Sequence, residues 1–268
     1  MDKIKLIAID MDGTFLCSDS SYNRERFRKL YKRMKKQGVK FVVASGNQYY
    51  QLKSFFEDYQ DELTYVAENG GYIIENKVEL FSVSIPKVTV MHVIDILKQY
   101  PEVKVCICGK KSAYVLRGDN AFYEHMSNFY HRLNKVEDFA EIDDQFIKLA
   151  IKTPSDSTRI IRDKLHSDIG KDLVPVVSGH VYVDLIFPGC NKGTGIRLLQ
   201  NKWSIDPSAC LAFGDGGNDI EMLKQVKYSY AMENASEEVK AVAAYHTTNN
   251  NNAEGVLDVI EQFLQVQE

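Results

Sequence analysis

The chain has 268 residues, 44% of them hydrophobic and 26% charged, with 33 Lys and Arg against 37 Asp and Glu for a formal net charge of −4. That length admits two domains of ordinary size, and the apolar content supports a packed core. The mixed, slightly acidic balance argues against a nucleic-acid surface, no run reaches the ~18 apolar residues of a membrane span, and the start lacks the segments of a signal peptide.

Residues 6–9 form a short apolar run with branched side chains, as expected of a strand buried on both faces. The run ends in Asp10-Met11-Asp12-Gly13-Thr14. In extended backbone alternate side chains share a face, so Asp10 and Asp12 start out directed to one side at the carboxyl end of a strand, where open α/β sheets place ligands. Two like charges so close are costly without a cation or a proton between them. The pair implies a metal, a proton or both; an acidic strand exit with Asp-Gly turn chemistry is the plainer alternative.

A polar loop at 15–21 leads to a predicted helix over 23–37, with apolar spacing at Phe27, Leu30, Tyr31 and Met34 and Gly38 as its stop. Its basic run 32–36 reads as a solvated face. A second buried strand over 39–44 ends in Ser45-Gly46-Asn47, a helix is predicted over 48–59, and a third strand over 65–67 runs into Glu68-Asn69-Gly70-Gly71. This β-α-β-α-β order is the grammar of a parallel sheet with right-handed crossovers. Residues 72–74 and 78–81 flank Glu75-Asn76-Lys77 as a hairpin.

From 84 to 187 the pattern becomes α+β: a helix over 88–99, strands over 103–108 and 112–117, a helix near 121–130, a strand over 146–152, a helix over 157–167, and paired strands over 173–178 and 182–186 with His180 at the tip. Pro188-Gly189 marks the return, with Lys192 expected just before a helix over 194–202. A strand over 209–213 ends in Gly214-Asp215-Gly216-Gly217-Asn218-Asp219. A helix over 220–226, a strand over 228–231, a helix over 236–243, the polar loop 249–252 and a final helix over 253–266 complete the chain. The five cysteines form no Cys-x-x-Cys pair, and Cys106 and Cys108 are expected to share a strand face rather than a metal, which fits a reducing cytoplasm.

Four strand ends thus carry polar groups suited to one reaction. Asp10 and Asp12 supply carboxylates, and Ser45-Gly46 a hydroxyl and a backbone N–H that can hold a phosphate oxygen. Lys192 supplies a point cation, and Asp215 with Asn218 and Asp219 suits a hard, oxygen-loving ion. Singly, Ser45 reads as a helix cap, Lys192 as an exposed lysine and Asp219 as a favourable charge in a first helical turn. Jointly, at the ends of buried strands of one sheet, coincidence is a poor account.

The same four segments, Asp10-Met11-Asp12-Gly13-Thr14, Ser45-Gly46, Lys192 and Gly214–Asp219 in that order, resemble the ordered motifs of the haloacid dehalogenase (HAD) superfamily. The insertion after the third strand resembles the α+β (type IIB) cap of its Cof-type branch, and the local stretches 41–52, 66–71, 184–189 and 214–223 look close to an enterobacterial group of Cof-type sugar phosphatases. The resemblance implies a Rossmann-like α/β core over 1–83 and 188–268 and an inserted cap over 84–187 that closes over the site and selects substrate. It implies a Mg²⁺-dependent cytoplasmic phosphatase of small sugar phosphates, hexose or pentose, a monomer or weak dimer with no nucleic-acid or membrane partner and a sugar phosphotransferase side activity. Flavin mononucleotide or pyridoxal phosphate is the alternative substrate, and a phosphate-binding regulator with a weakened site the alternative role; a phosphomutase of the same superfamily is the enzymatic rival.

Residue by residue, the resemblance makes Asp10 the nucleophile and Asp12 the general acid and base, with an aspartyl phosphate between the two steps. It makes Ser45, Gly46, Lys192 and Asn218 the phosphate-binding set, Asp10, the Asp12 carbonyl and Asp215 the metal ligands, and Asp219 a group that orients them. One departure stands out: many relatives carry Arg where this chain has Asn47, and Asn offers no cationic fork. In the inserted region Lys110, Arg117, His131 and Arg132 face either a sugar or solvent, and Tyr49 and Tyr50 either the substrate or helix packing.

Overall fold

The computed structural model describes residues 3–178 and 181–267; His180 lies outside them. In chain order the first elements are β1 (Leu6–Ile9), α1 (Arg24–Gln37), β2 (Lys40–Ala44), α2 (Tyr49–Ser54), β3 (Thr64–Ala67), β4 (Tyr72–Glu75) and β5 (Val78–Ser82). Next come α3 (Lys87–Leu97), β6 (Lys104–Gly109), β7 (Ala113–Leu116), α4 (Asn120–Met126), β8 (Leu133–Val136), β9 (Phe146–Lys152), α5 (Thr158–Ile169), β10 (Val174–Val177) and β11 (Tyr182–Ile186). The chain continues with α6 (Lys192–Trp203), β12 (Cys210–Gly214), α7 (Ile220–Lys224), β13 (Tyr228–Ala231), α8 (Glu237–Lys240), β14 (Tyr245–His246) and α9 (Gly255–Val266). Two compact units result: Met1–Ser45, Glu62–Val66 and Asn191–Glu268 make one, Gly46–Asp61 and Ala67–Cys190 the other.

The first unit is built on parallel strands in the order β14-β13-β12-β1-β2-β3. β1 sits inside this sheet and is buried along its whole length, which is why its sequence is an unbroken apolar run rather than an alternation. The crossover α1 buries Phe27, Leu30, Tyr31 and Met34, the stripe expected from spacing, and stops where Gly38 turns left-handed at φ 71°. Phe27 lies with ring centroids 5.5 Å from Phe15 and 5.2 Å from Phe41, pinning the helix to β2 and to the loop after β1. Lys192 does not precede α6 as expected but opens it, because Asn191 is the cap: its side chain accepts from the Thr194 N–H at 2.8 Å and Thr194 Oγ1 accepts in return from the Asn191 N–H at 3.0 Å.

In the second unit β4 and β5 form an antiparallel hairpin whose turn residues Asn76 and Lys77 both have left-handed φ, 49° and 68°. A second sheet runs β10-β11-β9-β6-β7-β8, antiparallel except where β7 and β8 run parallel. One face packs Ile107, Leu149, Ile151, Val183 and Leu185 with Val90, Val93, Ile161 and Leu165 of α3 and α5. The opposite face packs Cys106, Cys108, Ala150 and Val115 with Phe122 and Met126 of α4, so the two cysteines do share a face. The helix predicted over 48–59 is cut to α2: its buried apolar residues are Tyr49, Leu52 and Phe56, too short a stripe for three turns, and Phe56 and Tyr59 close three-residue turns onto Lys53 and Phe56. β8 and β14 escaped sequence reading because each is a short sheet-edge strand without an apolar alternation.

Candidate active site

The strand register places the chemistry. Ile9 stands opposite Val43 on one side and Phe213 on the other, so Asp10, Ser45 and Asp215 follow the carboxyl ends of three adjacent parallel strands. The Asp10 N–H donates to the Phe213 carbonyl at 3.1 Å, holding the first residue past the strand to β12. Beyond it the chain turns at once: the Met11 carbonyl accepts from the N–H groups of Thr14, Phe15 and Leu16 at 3.2, 3.0 and 2.9 Å. The extended alternation expected through Asp12 therefore stops at Ile9, and the two carboxylates meet different surroundings, Asp10 buried and Asp12 exposed.

Lys192, only 1% exposed, donates to Asp10 Oδ1 at 2.5 Å and to Asp219 Oδ1 at 2.6 Å. The other Asp219 oxygen accepts from the N–H groups of Asp215 and Gly216, each at 3.0 Å. Thr14 donates its hydroxyl to Asp215 Oδ1 at 2.8 Å. This closeness has a steric condition: a Cβ at Gly13, whose φ is +75°, would stand 2.5 Å from Asp215 Oδ2, and one at Gly214 would stand 2.4 Å from Asp219 Cβ. Ser45 is buried and its N–H donates to the Val66 carbonyl at 3.0 Å; Asn218 lies in the turn Gly217–Asp219.

Burial, then the charges of Asp219 and Asp215, push the Asp10 carboxyl well above the usual carboxylate range, against the pull of Lys192. Asp215 is pushed up to about 6 by burial and by Asp219, with the Thr14 hydrogen bond and Lys192 opposing. Burial works against the Lys192 ammonium, but Asp10 and Asp219 outweigh it and raise its proton affinity. To be held ionised, the Asp10 carboxylate thus needs more positive charge than Lys192 provides.

Asp10, Asp215 and Asp219 offer oxygens that lie within 4.8 Å of one another. Both Asp219 oxygens are engaged, by Lys192 and by two backbone N–H groups, so Asp10 and Asp215 keep the coordinating capacity. An all-oxygen pair of carboxylates, Asp10 buried and Asp215 half-buried, both with raised proton affinity, fits Mg²⁺, which prefers such ligands and retains water. Sequence reading missed the Thr14 contact, whose signal was a hydroxyl one residue after the Gly13 turn, and the double engagement of Asp219.

A family described as haloacid dehalogenase-like hydrolase matches residues 7–260. The chain is 47% identical to a protein of Escherichia coli (strain K12) named 5-amino-6-(5-phospho-D-ribitylamino)uracil phosphatase YbjI, over 98% of this chain and 97% of that one. It superposes on the structure of SMU.1108c from Streptococcus mutans UA159 with a TM-score of 0.94 at 37% identity, covering 98% of this chain and 100% of the other. The fold also matches BT4131, described as a HAD subclass IIB sugar phosphatase, at TM-score 0.80 and 21% identity over 97% and 98% of the two chains. Among the described residues no helix is long and apolar enough to cross a membrane. The chain belongs to the haloacid dehalogenase-like hydrolases, in their Cof-type branch, and is a phosphoric monoester hydrolase.

Proposed function

We propose that this enzyme hydrolyses the terminal phosphomonoester of a small sugar or sugar alcohol with Asp10 as nucleophile. The observation that carries this reading is the buried Asp10 carboxylate at the end of β1, fixed by the Lys192 ammonium at 2.5 Å. The Asp10 and Asp215 carboxylates with the Asp12 main-chain carbonyl would hold Mg²⁺, which supplies charge neutralisation for an anionic phosphate meeting an anionic nucleophile. Asp10 forms a bond to phosphorus as the bond to the leaving oxygen breaks, and Asp12, exposed to the solvent side, gives that oxygen its proton. Asp12 then takes a proton from the water that cleaves the aspartyl phosphate and releases inorganic phosphate.

Lys192 has three N–H donors and spends two of them on Asp10 and Asp219, leaving one for a phosphoryl oxygen. Ser45, the Gly46 N–H and Asn218 complete the phosphate set in this reading. Asp219 orients Lys192 and the Asp215–Gly216 backbone. The inserted region 84–187 serves as the substrate-selecting cap. The substrate class combines two supports: the phosphorylated ribityl chain in the name of the 47% identical relative, and the resemblance to sugar phosphatases.

A Mg²⁺-supplemented panel tests it, with 5-amino-6-(5-phospho-D-ribitylamino)uracil, hexose, pentose and tetrose phosphates, flavin mononucleotide and pyridoxal phosphate. The expected result is phosphate release fastest from the ribityl or sugar phosphates and none from an Asp10→Asn control. Preference for flavin mononucleotide or pyridoxal phosphate would move the substrate class, and binding without hydrolysis by the wild type would make the protein a phosphate-binding regulator.

A further inference from the structure

A second buried charge cluster stands behind the loop that follows Ser45, and all of its members belong to the second compact unit. β9 carries Lys148 inside an otherwise apolar run, β11 carries Asp184 inside another, and each is 2% exposed. Charges inside buried strands are costly to desolvate, so they persist only with close partners. Lys148 Nζ lies 3.0 Å from Asp184 Oδ2 and 3.2 Å from Glu68 Oε2, and it donates to the Gly46 carbonyl at 2.6 Å. Asn69 donates its amide to Asp184 Oδ2 at 2.6 Å, and the Glu68 N–H donates to the Asn47 carbonyl at 3.2 Å. Glu68 and Asn69 reach these partners from left-handed backbone, φ 51° and 55°. The fit around Gly46 is tight: a Cβ there would stand 3.1 Å from Asn69 Oδ1 and 3.4 Å from Asp184 Oδ2.

We propose that Lys148, held by Asp184 and Glu68, is a positioning residue for the phosphate-binding loop Ser45-Gly46-Asn47. The inference rests on the reading above that this loop holds the phosphoryl group. A trans peptide is planar, so the Asn47 N–H points opposite to the Gly46 carbonyl that Lys148 draws back. With the Gly46 and Asn47 carbonyls both tied into the cluster, their negative ends are kept off the anion and the loop offers it N–H donors. A loop fixed from behind in this way replaces the cationic side chain that Asn47 does not supply. Lys148 is buried, donates to the Gly46 carbonyl and to Asp184, and lies 3.2 Å from Glu68 Oε2, so it acts on the loop rather than on substrate.

The test is the paired variant Lys148→Met with Asp184→Asn, which removes one charge of each sign. Exchanging a buried ion pair for neutral groups is often tolerated. The expected result is a fall in kcat/KM of about 10- to 100-fold, the scale of a small misplacement of a binding group. The factor should be the same for p-nitrophenyl phosphate and a sugar phosphate, and inhibition by inorganic phosphate should weaken in parallel. Wild-type kinetics and wild-type phosphate inhibition in a folded variant overturn the proposal, as does a loss confined to one leaving group. Should the variant not fold, NMR of the wild type decides: the Lys148 ammonium nitrogen should correlate with the Gly46 carbonyl carbon across the hydrogen bond, and the Gly46–Asn47 peptide signals should move on saturation with inorganic phosphate. Absent correlation or unmoved signals overturn it. A wild type that hydrolyses no phosphomonoester would instead refute the proposed function, while the phosphate titration still judges the loop.

Discussion

Lys192 holds two buried carboxylates at once, so its removal does two kinds of damage. Without the ammonium, Asp10 and Asp219 face each other uncompensated, and breaking a buried pair from one side costs about 3–5 kcal/mol. Lys192→Ala should therefore lower the urea midpoint as well as slow hydrolysis by about 10²-fold or more, the scale of losing a preorganised donor. The urea midpoint and kcat of the same preparation separate the two effects; an active variant of unchanged stability would contradict the geometry. Thr14 acts more narrowly. Its hydroxyl stabilises ionised Asp215, whose carboxyl sits at about 6, so Thr14→Val should raise that value. A proton competes with a cation for the same oxygen. At limiting Mg²⁺ the variant's activity should begin to fail at higher pH than the wild type's, and excess Mg²⁺ should restore it; superimposable pH–rate profiles would rule out this role for Thr14.

At the scale of elements, the strand ends do the positioning and two glycines separate shape from function. Gly13 and Gly38 share left-handed backbone, φ 75° and 71°, but a Cβ at Gly38 meets nothing within 4 Å whereas one at Gly13 meets Asp215. Gly38→Ala should cost about 1–2 kcal/mol for the left-handed conformation alone and leave turnover intact. Gly13→Ala should carry the same backbone cost and also displace Asp215, lowering activity and Mg²⁺ affinity together; equal effects of the two substitutions on activity would refute the steric account. The parallel strands were legible because buried β1, β2 and β12 are written as apolar runs with polar residues at their exits. The edge strands β8 and β14 were not, since an edge needs no apolar alternation. Asp10, Lys192 and Asp215 could be read as a constellation from spacing and resemblance, but who holds whom could not. The Asp219 contacts depend on how the turn after β12 folds back, and those of Lys148 on pairings between segments about a hundred residues apart. A signal for the latter did exist: a lysine and an aspartate inside otherwise apolar strands at Lys148 and Asp184 demand partners.

For the whole molecule, the two compact units carry separate proton-linked stresses. Buried Asp10 and half-buried Asp215 in one unit, and buried Glu68 in the other, are all carboxyls with raised proton affinity; Asp215 stands at about 6 and Glu68, pushed up by burial against the pull of Lys148, at about 7. A carboxyl whose folded value exceeds its unfolded one binds more protons in the folded state, so its contribution is fully present below the unfolded value and lost as pH rises through the folded one. Without a divalent cation, stability should therefore decline from the ordinary carboxylate values of 3.8 for Asp and 4.5 for Glu up through about 6 for Asp215 and about 7 for Glu68. In the proposed function Mg²⁺ would bind the ionised form of Asp10 and Asp215, and it has no corresponding role at Glu68. Adding it at pH 7.5 should raise the unfolding transition of the unit that holds Asp10 and Asp215, and raise it far less at pH 5, where protons occupy the same oxygens. Glu68→Gln should flatten the remaining pH dependence without altering the Mg²⁺ shift. Thermal or urea unfolding of the wild type and of Glu68→Gln at the two pH values, with and without Mg²⁺, measures these shifts. A Mg²⁺ shift as large at pH 5 as at pH 7.5, or one abolished by Glu68→Gln, would mean that the cation does not sit between Asp10 and Asp215.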